Sequence, residues 1–162
     1  MLGKVLRSAD FKKLPGLFLL ALSHPLFIIP TLKATRKTME IAQREYGDAH
    51  KGNTKANAFR HALWNVLIAK ACLNWKNNLE KVLRWTEKIT EKHEKLAPNK
   101  PLARAMDLHN NHVGLKHCKD LILLEDKKII DFLKEKAEKA RKIEDLAQIK
   151  ATGTQLVYLT ES

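Results

Sequence analysis

Apolar residues recur along most of the chain at the three- and four-residue spacing of amphipathic helices, and clusters of Gly, Asn and Pro interrupt this pattern. Strand-like composition is confined to the tail at residues 155–159, where no second strand is evident to pair with it. We predict helices over about residues 14–23, 25–46, 54–73, 79–96, 101–113 and 119–149.

Local signals mark several of the predicted helix ends. Pro30 can begin a fresh helix within residues 25–46, because proline is tolerated in a first turn. Thr54 or Asn53 can cap the next helix after the loop at 47–54. Gly114 stands where a C-terminal cap would end the helix that starts near residue 101.

Length and composition agree with this pattern. A chain of 162 residues suits one domain, and only 6 Gly and 5 Pro favour helices over a many-turned β architecture. The sequence therefore predicts an all-α, single-domain helical bundle of five to seven helices over residues 1–162, with at most a short C-terminal strand. Its motif-bearing core covers about residues 30–115, and an amphipathic C-terminal helix covers about 119–149.

The net charge of +12 has three explanations: nucleic acid, an anionic membrane surface, or Lys-rich helix faces in water. The apolar stretch at residues 17–30 is shorter than the ~20 residues that span a bilayer, and it has no small-residue cleavage site. We expect it to pack in the core or to lie at a membrane interface. Cys72 and Cys118 are too few for a disulfide framework, which favours a cytoplasmic protein, at most peripheral to a membrane.

The helix at 54–73 carries large polar residues where a core should be. Asn57, His61 and Asn65 form one line along it, with Arg60 and Trp64 beside that line. The rest of the helix is so apolar that burial is expected. Because an unpaired buried polar group costs about 1–3 kcal/mol, these side chains need partners from elsewhere in the chain.

Two later segments offer such partners on single helix faces. They are Thr90, His93 and Glu94 in one helix, and Asp107, Asn110 and Asn111 in the next. The His-Glu pair does not begin a zinc-protease motif, since position 97 is Ala. We predict that the three segments meet at one buried polar site.

These residue types indicate acid–base chemistry. His61 would act as general base, Glu94 or Asp107 would orient it, and Arg60 or an Asn would stabilise negative charge. No Ser or Cys lies near a motif, so activated water is the expected nucleophile. The basic surface and apolar N-terminal stretch favour a phosphodiester or phospholipid ester as substrate. The catalytic candidates are His61, Glu94, Asp107, Arg60 and His93; the binding or orienting candidates are Asn57, Trp64, Asn65, Asn110 and Asn111.

Three alternatives stay open. A divalent metal such as zinc or manganese could use His61, His93, Glu94 and Asp107, although no pair has a diagnostic spacing. The polar network could instead be purely structural, in a non-enzymatic binding or scaffold protein. The Lys-rich surface could bind nucleic acid. This hypothesis ranks below the hydrolase and the scaffold because no nucleic-acid recognition motif is present.

The motifs NAxRHAxWN, HE and MDLHNNxxG together resemble a small bacterial helical domain family of unknown function. That family also occurs at the C-termini of large secreted proteins, where toxin domains stand. The resemblance covers about residues 30–114 and implies a shared polar site; the toxin-like placement implies a hydrolytic enzyme. Its residues are Asn57, Arg60, His61, Trp64, Asn65, Thr90, His93, Glu94, Met106, Asp107, Leu108, Asn110, Asn111 and Gly114.

A weaker resemblance is to prokaryotic phospholipase A2, whose catalytic helix contains Arg-His-Asp. Here Ala62 follows His61, and the calcium-loop and disulfide signals are missing. This departure argues against a phospholipase A2 mechanism.

Overall fold

A computed structural model describes residues 24–161. The chain is helical through most of this range, as predicted, and ends in one small sheet, so the all-α fold is confirmed. Its elements are α1 (Pro25–Tyr46), a 3-10 helix (Gly47–Lys51), α2 (Lys55–Leu73), α3 (Leu79–Leu96), α4 (Pro101–Leu121), α5 (Asp126–Glu138), β1 (Arg141–Lys142), α6 (Leu146–Lys150) and β2 (Val157–Tyr158). The predicted helix at 14–23 lies outside the described residues.

Helix α2 runs through the centre of the bundle and packs against α1, α3, α4 and α5. Its apolar residues, among them Phe59, Leu63 and Ile68, are fully buried. Thr54 caps it, because its hydroxyl accepts the backbone N–H of Asn57 at 3.4 Å. The burial expected from the sequence is confirmed. Asn57, His61 and Asn65 are buried with the rest of the helix, so their polar groups need partners inside the protein.

Gly114 is not a C-terminal cap, and the predicted helix end at this position is wrong. It lies inside α4, which continues to Leu121. A Cβ atom at Gly114 would lie 2.4 Å from the carbonyl oxygen of Ala62. The glycine therefore serves the close crossing of α2 and α4, which the local sequence pattern does not show.

Pro30 does not begin a new helix; it lies within α1, which starts at Pro25. The fixed φ of proline is compatible with a helix, and only one backbone hydrogen bond is lost. The prediction of a helix start at Pro30 is therefore wrong.

The single helix predicted over 119–149 is also wrong. This stretch contains the end of α4, then α5, β1 and α6. Strand β1 pairs in parallel with β2, Arg141 opposite Val157 and Lys142 opposite Tyr158. The pairing is too short to show in the sequence, because each strand has two residues and those of β1 are Arg and Lys. Nearby, Ile143 is buried in a cluster with Val157.

None of the helices within residues 24–161 is long and apolar enough to cross a membrane. Cys72 and Cys118 are buried free thiols. Burial raises the pKa of Cys72 to about 11 and that of Cys118 to about 12. Neither thiol is suited to act as a nucleophile at neutral pH.

Candidate functional site

The imidazole of His61 lies at the point where α2, α3 and α4 meet. Its Nδ1 atom is 3.1 Å from Oδ1 of Asn111 and 3.5 Å from Oε1 of Glu94. Its Nε2 atom is 3.3 Å from Oδ1 of Asp107. All four side chains are buried, and His61 is only 1% exposed. The structure thus brings the three sequence segments together around one ring.

On the Nδ1 side, the hydrogen bonds form a closed set. Oδ1 of Asn111 faces His61 Nδ1 and also accepts from Nδ2 of Asn65 at 2.9 Å. Nδ2 of Asn111 donates to Glu94 at 3.2 Å. The hydroxyl of Thr90 donates to Oδ1 of Asn65 at 3.3 Å. Asn111 therefore links all three helices and holds the imidazole with its proton on Nδ1.

On the Nε2 side, Arg60 is the principal neighbour. Its Nη2 donates to His61 Nε2 at 2.9 Å, and its Nη1 donates to the carbonyl oxygen of His50 at 2.6 Å. A guanidinium can only donate, so Nε2 must carry a lone pair. Asp107 stands on the same side, and its Oδ2 accepts from Asn99 Nδ2 at 3.0 Å.

Among the described residues, three of the candidates each have a buried polar atom without a hydrogen-bond partner: Oδ1 of Asp107, Nε of Arg60 and Oδ1 of Asn57. Their side chains are more than nine-tenths buried. Such atoms are rare in folded proteins, and each calls for an explanation such as a missing water, ion or catalytic role. Oδ1 of Asp107 lies 3.3 Å from Nε2 of His61, and Nε of Arg60 belongs to the guanidinium that donates to this nitrogen.

Burial dominates the electrostatics of the cluster. It lowers the pKa of His61 well below the usual range, and the charge of Arg60 lowers it further. Burial raises the pKa of Glu94 to about 8, reinforced by the charge of Asp107. It also raises the pKa of Asp107 to about 7, although Arg60 opposes the shift. Near neutral pH the imidazole is thus uncharged. Glu94 and Asp107 both have their pKa close to neutral pH, so each carboxyl group is partly protonated there.

His93 and Trp64 form a separate contact beside the cluster. Their rings meet edge to face with centroids 5.0 Å apart. Nε1 of Trp64 donates to the hydroxyl of Thr35 at 2.8 Å, which anchors α2 to α1. Burial lowers the pKa of His93 to about 4. Among the described residues no hydrogen bond joins His93 to His61. The contact of His93 beside the site is its packing against the Trp64 ring.

Asn110 and Asn57 bind backbone. Asn110 accepts from the N–H of Val157 and donates to its carbonyl oxygen, both at 2.9 Å. Nδ2 of Asn57 donates to the carbonyl oxygen of Gly52 at 2.5 Å. The carbonyl oxygen of the next residue, Asn53, accepts from the N–H of Leu159 at 2.8 Å. The tail and the loop before α2 are therefore held together at the edge of the site.

Sequence reasoning missed two loop residues of the site, His50 and Asn99. His50 lies in the 3-10 helix and is buried; besides its bond to Arg60, its Nε2 is 3.1 Å from Oε1 of Gln43. Asn99 lies between α3 and α4 and binds Asp107. Neither belongs to a periodic pattern, so the sequence carried no signal for them beyond their polar character.

The cluster does not fit a metal ion as it stands. Glu94 and Asp107 lie at opposite edges of His61, and the Arg60 guanidinium fills the place beside Nε2 that a cation would need. Among the described residues, no group of three or more His, Cys, Asp or Glu side chains is arranged to hold a metal.

A groove of about 230 Å³ between α3 and α4 reaches the network from one side. Its polar lining includes Glu87, Glu91, Lys95 and His112. It also includes Asn65, Thr90 and Asn111, whose hydrogen bonds are already used on the Nδ1 side of His61. The groove reaches partners of the imidazole, and His61, Arg60 and Asp107 are not among the residues that line it.

Comparison with known families adds one finding. Residues 18–141 match the model of a Domain of unknown function (DUF6973). No curated protein and no solved structure gives a significant match. The matched range contains all three segments that meet at His61. Because it covers most of the chain, the protein belongs to the DUF6973 family, whose function is unknown.

Proposed function

We propose that this protein is a small hydrolase that cleaves a phosphodiester or phospholipid ester with activated water. The observation that carries the proposal is the asymmetry around His61. Nδ1 is bonded to Asn111. Nε2 accepts from Arg60 and lies 3.3 Å from Oδ1 of Asp107, and neither that oxygen nor Nε of Arg60 has a hydrogen-bond partner among the described residues. A network that served packing alone would gain stability by satisfying these atoms.

The general base in this proposal is Nε2 of His61. The imidazole is neutral at physiological pH, and Asn111 holds it in the required tautomer. Asn111 is itself held by the hydrogen bond that it donates to Glu94. Arg60 now donates to the same lone pair. An anionic substrate that draws the guanidinium toward itself frees Nε2 to accept a proton, which couples substrate binding to base activation.

His61 Nε2 takes a proton from water, and the hydroxide oxygen forms a bond to phosphorus or to the ester carbonyl carbon. The bond to the leaving oxygen breaks, and protonated Asp107 donates its proton to that oxygen. Arg60 stabilises the negative charge that develops. The raised pKa of Asp107, about 7, makes its acid form available at neutral pH.

Other features support a hydrolase without defining its substrate. The motif resemblance includes a family with toxin-like placement, and the net charge of +12 favours an anionic substrate. A phospholipase A2 mechanism is not favoured, because the residue after His61 is Ala62, which is fully buried and has no carboxylate. The free buried thiols fit the cytoplasmic location that we propose.

The scaffold alternative draws on the same network. Asn65, Asn111 and Glu94 join three helices, and such links can fix a packing arrangement without any reaction. It predicts that wild-type protein turns over neither substrate class. Nucleic-acid binding predicts instead an affinity that falls steeply with salt and survives loss of His61.

The test is hydrolysis of bis(p-nitrophenyl) phosphate and of phosphatidylglycerol vesicles by wild type, His61→Ala and Asp107→Asn. We expect each substitution to lower kcat by about a hundredfold or more, as loss of a general base or acid does. Asp107→Asn preserves the side-chain shape, and circular dichroism checks its folding. In wild type, kcat should fall as pH rises through about 7, because the acid form of Asp107 is lost.

Asp120→Asn is the matched control, since Asp120 is exposed on the same helix as Asp107. It should leave turnover unchanged. Retained turnover in both His61→Ala and Asp107→Asn, or no turnover by wild type on either substrate, would overturn the proposal.

A further inference from the structure

The outward face of α1 carries large apolar side chains that the bundle does not cover. Leu26, Ile29 and Leu32 are 58%, 53% and 46% exposed. They recur every three residues and lie opposite the buried face that contains Phe27 and Ala34. Isolated exposed leucines are ordinary, but three along one helix face form a continuous apolar strip.

Within the first part of α1 the charged residues have one sign, although Glu125 and Asp126 share a groove with Lys33. No acidic residue occurs from His24 through Met39, whereas Lys33 and Arg36 lie on the same outward face and are exposed. Arg36 pairs with Glu40 one turn further on, in an exposed ion pair that contributes little. A strip of apolar residues flanked by cations fits an anionic surface with an apolar interior.

The same end of the bundle presents an aromatic residue. Cys72 in α2 contacts the carbonyl oxygen of Phe27, so the end of α2 lies beside the start of α1. Just beyond α2, Trp75 is 55% exposed and is followed by exposed Lys76. Tryptophan and lysine are typical of the interface between lipid headgroups and acyl chains.

From these observations we infer that the α1 strip, formed by Leu26, Ile29, Leu32, Lys33 and Arg36, docks on a bilayer containing anionic phospholipids. The apolar side chains enter the boundary between headgroups and acyl chains, and the cations bind the headgroup phosphates. The helix lies on the bilayer and does not cross it. This inference rests on the proposed function. If the hydrolase docks on a bilayer in this way, a phospholipid ester is its substrate.

The test is sedimentation of the full chain with phosphatidylcholine vesicles that contain phosphatidylglycerol, against vesicles of phosphatidylcholine alone. We expect binding to the anionic vesicles, weakened by added salt. Leu26→Gln should lower the partition coefficient about fivefold, from lost apolar burial. Lys33→Gln should lower it by a similar factor, as expected for one cation at an anionic surface.

Leu146→Gln is the matched control, because Leu146 is 54% exposed and lies on α6, away from α1. It should bind vesicles like wild type. Failure of wild type to bind anionic vesicles, or equal loss of binding in Leu26→Gln and Leu146→Gln, would overturn the inference. So would a dimer that dissociates in Leu26→Gln without any change in vesicle binding.

Hydrolysis of soluble bis(p-nitrophenyl) phosphate separates this inference from the proposed function. That assay depends on His61 and needs no bilayer. Lost vesicle binding with His61-dependent turnover retained would overturn the docking strip alone. Retained vesicle binding with no turnover on either substrate would overturn the hydrolase alone.

Discussion

Nδ1 of His61 lies 3.1 Å from Oδ1 of Asn111, and this contact selects the nitrogen that can accept a proton. Asn111 also accepts from Asn65 and donates to Glu94, so one amide holds partners from α2 and α3. The orientation of the imidazole is thus a property of the packing of three helices. Any change that moves α4 relative to α2 should therefore change the orientation of the imidazole as well.

Replacing Asn111 with Ala should destabilise the fold and release the imidazole. It leaves His61, Asn65 and Glu94 without a shared partner, and each unsatisfied buried group costs about 1–3 kcal/mol. We expect a loss of at least about 2 kcal/mol in the free energy of unfolding, measured by urea denaturation. Nitrogen chemical shifts of His61 should report a mixture of tautomers.

The adjacent residue provides the control for that measurement. His112 is exposed, and His112→Ala should change the unfolding free energy by less than about 0.5 kcal/mol. Equal stability of the Asn111 and His112 variants would contradict the role given to the amide.

Glu94→Gln should become more stable relative to wild type as pH rises from 5 to 9. Burial and Asp107 raise the pKa of Glu94 from 4.5 to about 8. The native state therefore holds a proton that the unfolded chain has lost, and the stability linked to it is present below pH 4.5 and is lost as pH rises through about 8. Glutamine cannot ionise, so it avoids this loss.

The measurement is the melting temperature as a function of pH for wild type, Glu94→Gln and Glu91→Gln. Glu91 lies on the same helix and is exposed, where it pairs with Lys95. Its replacement should follow the wild-type pH profile. A Glu94→Gln profile parallel to wild type would show that Glu94 is ionised throughout this pH range.

Gly114→Ala should destabilise the protein although alanine is the better helix former. The added Cβ would meet Ala62 at 2.4 Å, and the contacting atoms belong to the backbone of α2. The helices must move apart, at a cost of about 1–3 kcal/mol or more. Gly52→Ala is the control, because its Cβ would meet only ordinary contacts at 3.4 Å and beyond. Unchanged thermal stability of Gly114→Ala would mean that α2 and α4 are not packed this closely.

Asn110→Ala should loosen the C-terminal tail. The substitution removes both hydrogen bonds to Val157, leaving a buried N–H and a buried carbonyl oxygen unpaired. We expect faster amide hydrogen exchange at Val157 and Leu159, with a loss of about 1–3 kcal/mol in stability. Lys116→Ala, exposed on the same helix, should show wild-type exchange. Unaltered protection of Val157 in Asn110→Ala would argue that the β1 pairing alone holds the tail.

The helices and the meeting of the three polar segments could be predicted because both follow from periodicity. Asn57, His61 and Asn65 share a line on an otherwise apolar helix, and burial then demands partners. The roles of the individual partners could not be predicted in this way. Whether Asp107 or Glu94 faces Nε2 depends on how α2 and α4 cross. That crossing depends in turn on the close contact of Gly114 with Ala62.

The remaining differences come from short or irregular segments. Strand β1 has two residues, and its stability comes from a partner that lies far along the chain at Val157. His50 and Asn99 reach the site from loops, where no periodic pattern exists to mark them. Contacts of this kind depend on tertiary packing and leave little trace in local sequence.

The tail held by Asn110 and Asn53 lies beyond residue 141, where the family match ends. A fragment trimmed to that match would lack the partner strand of β1 and the apolar cover that Val157 gives to Met106. It would also free the loop that leads into α2, four residues before Asn57. Recombinant fragments made for biochemistry should therefore extend at least to Glu161, although the shared family segment is shorter.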